Sequence, residues 1–153
     1  MKQTISYIIF LLACSVSSFG LSLDKRLDLV NALAMVESHN NPEVSRGDHG
    51  KAYGILQIRR EMIQDANRIS HHSTYVLDDA ENPILAREIA MKVLTYYNDY
   101  ILKIEHREAT AQELAYIWNG GGSAWRRVLH SHSDTKQINL QNYWNKVSKY
   151  YKE

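Results

Sequence analysis

This chain is poor in cysteine, in proline and in any excess of charge, and each shortage narrows what it can be. Its 153 residues include one cysteine, Cys14, so no disulfide can close within the chain and its stability has to come from packing. Three tryptophans and ten tyrosines supply that packing material. With 18 Lys and Arg against 17 Asp and Glu, intermixed along the chain, the net charge is +1. That balance lacks the basic footprint of a nucleic-acid binder, and it suits a neutral polymer such as a sugar chain better than a polyanion. No repeat and no low-complexity tract is present. One long apolar run exists, over 5–13, and it is too short to span a bilayer.

The surroundings of that run have the layout of a secretory leader: Lys2 ahead of it, small residues over 15–20 behind it, and Ser18-Phe19-Gly20 as a small-x-small cleavage pattern. The expected division is a leader over 1–20 and a single domain over 21–153, which would place the protein in the periplasm or cell envelope. Leu11-Leu12-Ala13-Cys14 resembles a lipobox, which would make Cys14 a lipid anchor; Leu12 departs from the small residue usual there.

The rest reads as nearly all helical. Ser22 or Asp24 can cap a first helix running to about 38. Asn40, Pro42, Gly47 and Gly50 mark a loop, and the short apolar run over 53–58 is too brief to assign as strand or helix. A second helix is expected over 60–69, with Met62, Ile63, Ala66 and Ile69 inward, followed by a turn-like polar stretch over 71–79. Asn82-Pro83 supplies a cap and a first-turn proline for the longest helix, whose inward stripe is Ile89, Val93, Tyr96, Tyr100 and Ile104. Thr110-Ala-Gln-Glu113 is a capping box, and Gly120-Gly121-Gly122 stops the helix it opens. A short helix over 124–129 and a polar loop over 130–136 lead to a last amphipathic helix over 140–151, with Tyr143, Trp144 and Val147 facing in.

One carboxylate falls on the wrong face. On the first helix, Leu27, Val30 and Ala34 lie within about 40° of Leu23 at 100° per residue, and so does Glu37. A glutamate on an apolar face in the last turn, at the negative end of the helix dipole, has its pKa raised by burial and by the dipole together. An acid kept protonated near neutral pH is what general-acid catalysis requires. An ion pair with a basic neighbour such as Arg46 would explain the same position equally well.

Four motifs in order bring a family into view. Glu37-Ser38 closes a helix ahead of an Asn-Pro turn, followed by Gly54-Ile55-Leu56-Gln57-Ile58, Trp118-Asn119-Gly120-Gly121 and Tyr143-Trp-x-Lys-Val147. Together they resemble the soluble lytic transglycosylase-like (SLT) catalytic domain of the lysozyme-like superfamily, from Leu27 to Tyr150. The resemblance implies a mainly α, lysozyme-like domain with a short loop or β-like segment after the catalytic helix, acting on peptidoglycan glycan strands without a cofactor. It implies Glu37 as the catalytic acid and base. Ser38 and Asn119 would bond the substrate, Gln57 would line the cleft with Trp118 at a sugar subsite, and Tyr143 would orient Glu37. Trp118 stands where the family has tyrosine, and Ile55-Leu56 where it has Leu-Met. Blander explanations exist for three of these: Asn119 as a helix cap, Tyr143 as core, and Gln57 as part of a half-buried strand.

Two other functions fit the same residues. A hydrolytic muramidase of this fold needs a second carboxylate about 6.5–9.5 Å from the acid, and Asp48 is the local candidate. A sugar-binding envelope protein could keep the fold without catalysis. His71-His72 and His130-x-His132 lack the helical i, i+4 spacing of a zinc hydrolase, so no metal site is expected. Arg126-Arg127 is expected at the surface, where it could touch an anionic peptide stem.

Overall fold

The computed structural model describes residues 21–44, 46–70, 74–130 and 135–152, without the side chains of 128–130. The expected leader, Cys14, His71-His72, His132 and the His130 side chain lie outside what is described. Among the described residues the fold is six α-helices around one core with a small sheet on its side: α1 (Leu23–Ser38), β1 (Arg46–Gly47), β2 (Ala52–Tyr53), β3 (Ile58–Arg59), α2 (Arg60–Ile69), α3 (Pro83–Glu105), α4 (Ala111–Gly120), α5 (Ala124–His130) and α6 (Thr135–Val147). The sheet is antiparallel in the order β1-β2-β3, with Arg46 opposite Tyr53 and Tyr53 opposite Ile58. This is a mainly α, lysozyme-like domain carrying a β-like segment directly after α1.

Local chemistry sets the element ends. Ser22 Oγ accepts from the Lys25 amide at the start of α1, and His39, in the left-handed region at φ 58°, closes its end. There the His39 and Asn40 amides donate to the Met35 and Ala34 carbonyls. Asn82 Oδ1 accepts from the Ile84 and Leu85 amides ahead of Pro83, which opens α3. The Thr110 box forms in both directions: the Glu113 amide donates to Thr110 Oγ1, and the Thr110 amide to Glu113 Oε2. Arg107 then grips the same carboxylate with both terminal nitrogens, at 2.9 and 2.6 Å.

The core runs through every helix. Leu29, Val30, Leu33 and Ala34 of α1 meet Ile89, Val93 and Leu94 of α3, Leu114 and Ile117 of α4, and Val147 of α6 in one cluster. Trp125, 1 % exposed, pins α5 to it, and truncating a side chain of that size in such a core costs roughly 3–5 kcal/mol. Buried Asn98 joins α3 to the approach to α4, its Oδ1 accepting from the Ala109 amide.

Several expectations are corrected. Leu23 and Leu27 are 64 % and 43 % exposed, because the first turns of α1 project past the core and its buried face is carried by Leu29, Val30, Leu33 and Ala34. Tyr100 faces out, at 37 % exposure, stacked on Tyr96. Part of the polar stretch before α3 winds into a 3-10 turn over Leu77–Glu81. Helix α6 starts at Thr135 and stops at Val147, displaced toward the N-terminus from the expected 140–151. The ambiguous run over 53–58 is neither one strand nor one helix, but the end of β2, a tight turn and the start of β3.

Candidate active site

The turn between β2 and β3 shapes one wall. Gly54 takes φ +67° and passes so close to the Ala80 carbonyl that a Cβ there would overlap it. Ile55, Leu56 and Ile58 are driven fully into the core, which holds the intervening Gln57 in the left-handed region at φ 47° with its side chain half-buried. Gln57 is therefore a turn residue and not part of a strand. Its Nε2 donates to the Gly54 carbonyl at 2.8 Å, and its side chain faces a cleft of about 340 Å³.

Glu37, at the end of α1, lines the same cleft, as do Trp118 and Asn119 on the last turn of α4 and Asp48 on the loop after β1. The Glu37 carboxyl accepts a 2.6 Å hydrogen bond from Tyr143 Oη, reaching across from α6. Burial pushes its pKa above the ordinary value of 4.5; Tyr143, the Trp118 indole and the more distant charges of Arg59 and Lys146 oppose that rise without cancelling it. Burial, with the neighbouring carboxylate second, also drives the Tyr143 phenol far up. That phenol stays a donor at any working pH.

The expected ion pair with Arg46 does not form. Arg46 reaches away to Glu81 at 3.0 Å and to Asp78 at 3.7 Å. Asn119 lies inside the last turn of α4, and the cap falls on Gly121. Tyr143 is core, at 8 % exposure, and bonded to the acid as well.

Ser38 is placed differently. It is buried outside the cleft lining, and its hydroxyl donates to the Ile55 carbonyl at 2.8 Å, fastening the end of α1 to the β2–β3 turn. Asp48 is exposed, and its carboxylate pairs with Arg59 at 2.8 Å across the sheet.

Some cleft residues carried no signal in the sequence. Arg59, Asp65 and Tyr97 line it, and the Tyr97 hydroxyl donates to Asp65 Oδ2 at 3.1 Å. The Tyr97 phenol is pushed up to about 12, chiefly by burial. It lies against Gly122, where any Cβ would collide with the phenol ring; the glycine run thus lets α3 approach the cleft floor. Arg59 and Tyr97 sit in segments whose patterns indicate only strand or helix, and pairing across the fold alone reveals their positions. Among the described residues, no group of three His, Cys, Asp or Glu is placed to hold a metal ion.

A carboxyl of raised pKa on an open cleft, held by a buried phenol with Gln57 and Asn119 in the same lining, can donate a proton to a bound oxygen and take one back. In comparison with known proteins, the family described as Transglycosylase SLT domain matches residues 23–141, spanning α1 through about half of α6 and ending just short of Tyr143. No curated protein is significantly similar to the chain in sequence.

Proposed function

From the premise that this chain belongs to the Transglycosylase SLT domain family, we propose that it cleaves the β-1,4 bond between N-acetylmuramic acid and N-acetylglucosamine in peptidoglycan, using Glu37 alone as acid and base. Lytic transglycosylase-type action on peptidoglycan is the general activity of the family; the bond and the one-carboxyl mechanism are our reading. The observation that carries it is the half-buried Glu37 carboxyl, its pKa raised, bonded to Tyr143 at the edge of the cleft.

Glu37 gives its proton to the glycosidic oxygen, and the bond from that oxygen to the muramic acid C1 breaks. Positive charge spreads over C1 and the ring oxygen as an oxocarbenium-like centre. The carboxylate so formed removes the proton of the C6 hydroxyl of the same sugar, whose oxygen bonds to C1. A 1,6-anhydro end and a free N-acetylglucosamine hydroxyl result, no water is consumed, and Glu37 ends protonated as it began. Tyr143 fixes the rotamer of the carboxyl throughout. Trp118, Asn119 and Gln57 hold the sugars, with Ser38 supporting the end of α1. An exported, envelope location accords with this substrate.

Hydrolysis with Asp48 as base has one observation in its favour: Asp48 lines the same cleft. Against it, Arg59 already engages one of the Asp48 carboxylate oxygens at 2.8 Å. Digestion of purified peptidoglycan with mass analysis of the released fragments separates the readings. Anhydro-muramic ends support transglycosylation, and reducing ends would establish hydrolysis. Loss of all release in Glu37→Gln is expected; unchanged release in that variant would remove Glu37 from the mechanism.

A further inference from the structure

Behind the end of α4 lies a second, smaller hollow of about 200 Å³, lined by Asn119, Gly120, Arg127, Lys136, Asn139 and Leu140. Asn119 borders both this hollow and the catalytic cleft, so a substituent on a strand lying in the cleft can turn around that residue into it. The lining chemistry is one-sided: two cationic side chains, two amides, a leucine and, among the described residues, no carboxylate. Arg127 is set in place by donating from Nη2 to the Gly120 carbonyl at 2.5 Å. Its Nε is buried and has no hydrogen-bond partner among the described residues.

We propose that this hollow is a carboxylate subsite, which takes an acidic group of the peptide stem carried by muramic acid and so makes the protein prefer peptide-bearing glycan over bare glycan. The proposal rests on the peptidoglycan reading above. Guanidinium and ammonium groups with flanking amides bind a carboxylate through charge-assisted hydrogen bonds, and a neutral sugar would gain little from them. The net charge of the whole chain is near zero, so the preference arises from this local arrangement and not from bulk attraction to an anionic wall.

The test is calorimetric titration of the full chain, carrying Glu37→Gln to prevent turnover, with soluble glycan strands of matched length. One set keeps its peptide stems, a second has them removed by an amidase, and a third has the stem carboxylates amidated. The intact strands are expected to bind roughly fivefold tighter than either of the others, as one charge-assisted contact at a partly solvated site would give. Adding Asn139→Asp or Lys136→Gln should reduce that ratio to near one, while Lys103→Gln, which changes net charge equally on another helix, should leave it. Two side chains are probed because a fold defect in one variant would not extend to the other. Equal binding of all three strands, or a preference surviving both substitutions, would overturn the subsite while leaving the catalytic reading intact. Binding to none of the strands would overturn the peptidoglycan reading and the subsite with it.

Discussion

Tyr143 and Glu37, 106 residues apart in the chain, meet through a 2.6 Å hydrogen bond in which the phenol donates to the carboxyl. Tyr143 is buried and Glu37 half-buried, and burial is the largest influence on the titration of both. The bond works against the raised pKa of Glu37, so its main value is geometric: it selects one rotamer of the carboxyl, which in the proposed mechanism faces a glycosidic oxygen.

Tyr143→Phe follows directly. Removing the donor lets the Glu37 pKa climb further, so the alkaline limb of the pH–rate profile should move to higher pH. Activity at the optimum should drop about tenfold as the carboxyl loses its fixed direction. A pH–rate profile of muropeptide release checks both. An unmoved limb would mean that the phenol does not act on Glu37 in the working enzyme.

Glu37 also constrains folding. A carboxyl whose pKa is higher in the folded than in the unfolded state gives up stability as pH rises through the interval between the two. Below the ordinary value of 4.5 the acid is protonated in both states and costs nothing. Glu37→Gln, which keeps an oxygen to accept from Tyr143, should therefore be more stable than the wild type at pH 7 and no more stable at pH 4. Thermal melts at the two values decide it, and equal Tm at pH 7 would argue against a raised pKa.

How far the sequence alone reached depended on whether a feature is local. The Thr110–Glu113 box and the Asn82-Pro83 start are written in adjacent residues, and both formed as read. Glu37 was legible because helical periodicity placed a charge on an apolar face, and it is half-buried in the fold. Leu23 and Leu27 obeyed the same periodicity yet stay exposed, since periodicity cannot say where the core ends. The start of α6 was missed because Thr135 to Asn139 are mostly polar and present no stripe. Asp65, Arg59 and Tyr97 reach the cleft only through contacts between elements, and the position of the Ser38 hydroxyl on the Ile55 carbonyl was equally out of reach.

Gly122 tests the floor of the cleft. Gly122→Ala puts a methyl group into the Tyr97 phenol, which has to move away from Asp65 and into the cleft. The strain should cost about 1–3 kcal/mol of stability, and the displaced ring should raise KM for glycan strands more than it lowers kcat. Pairing it with Tyr97→Ala, which opens the space, should recover part of the lost binding. No recovery would mean that the damage lies in the glycine turn itself.

The Arg107–Glu113 pair should set the acid limit of the fold. Glu113 is 8 % exposed, and burial on its own would raise its pKa. The Arg107 guanidinium and the Thr110 amide and hydroxyl outweigh that and hold it below the ordinary carboxylate value. A depressed folded-state pKa contributes stability above the unfolded value and loses it as pH falls through the folded one. Stability should accordingly fall between roughly pH 4.5 and the lower folded value, with α4 fraying as its box opens. In Glu113→Gln the side chain can still accept from Thr110, but the attraction to Arg107 is gone. That variant should be less stable by about 1–3 kcal/mol at pH 7 and lose less than the wild type on acidification. Urea titrations at pH 7 and pH 3 measure the two differences. A wild type whose stability does not change between these values, or a variant that acidifies in parallel with it, would show that the cap takes up protons with no consequence for α4, and hence that Trp118 and Asn119 at its far end do not depend on it.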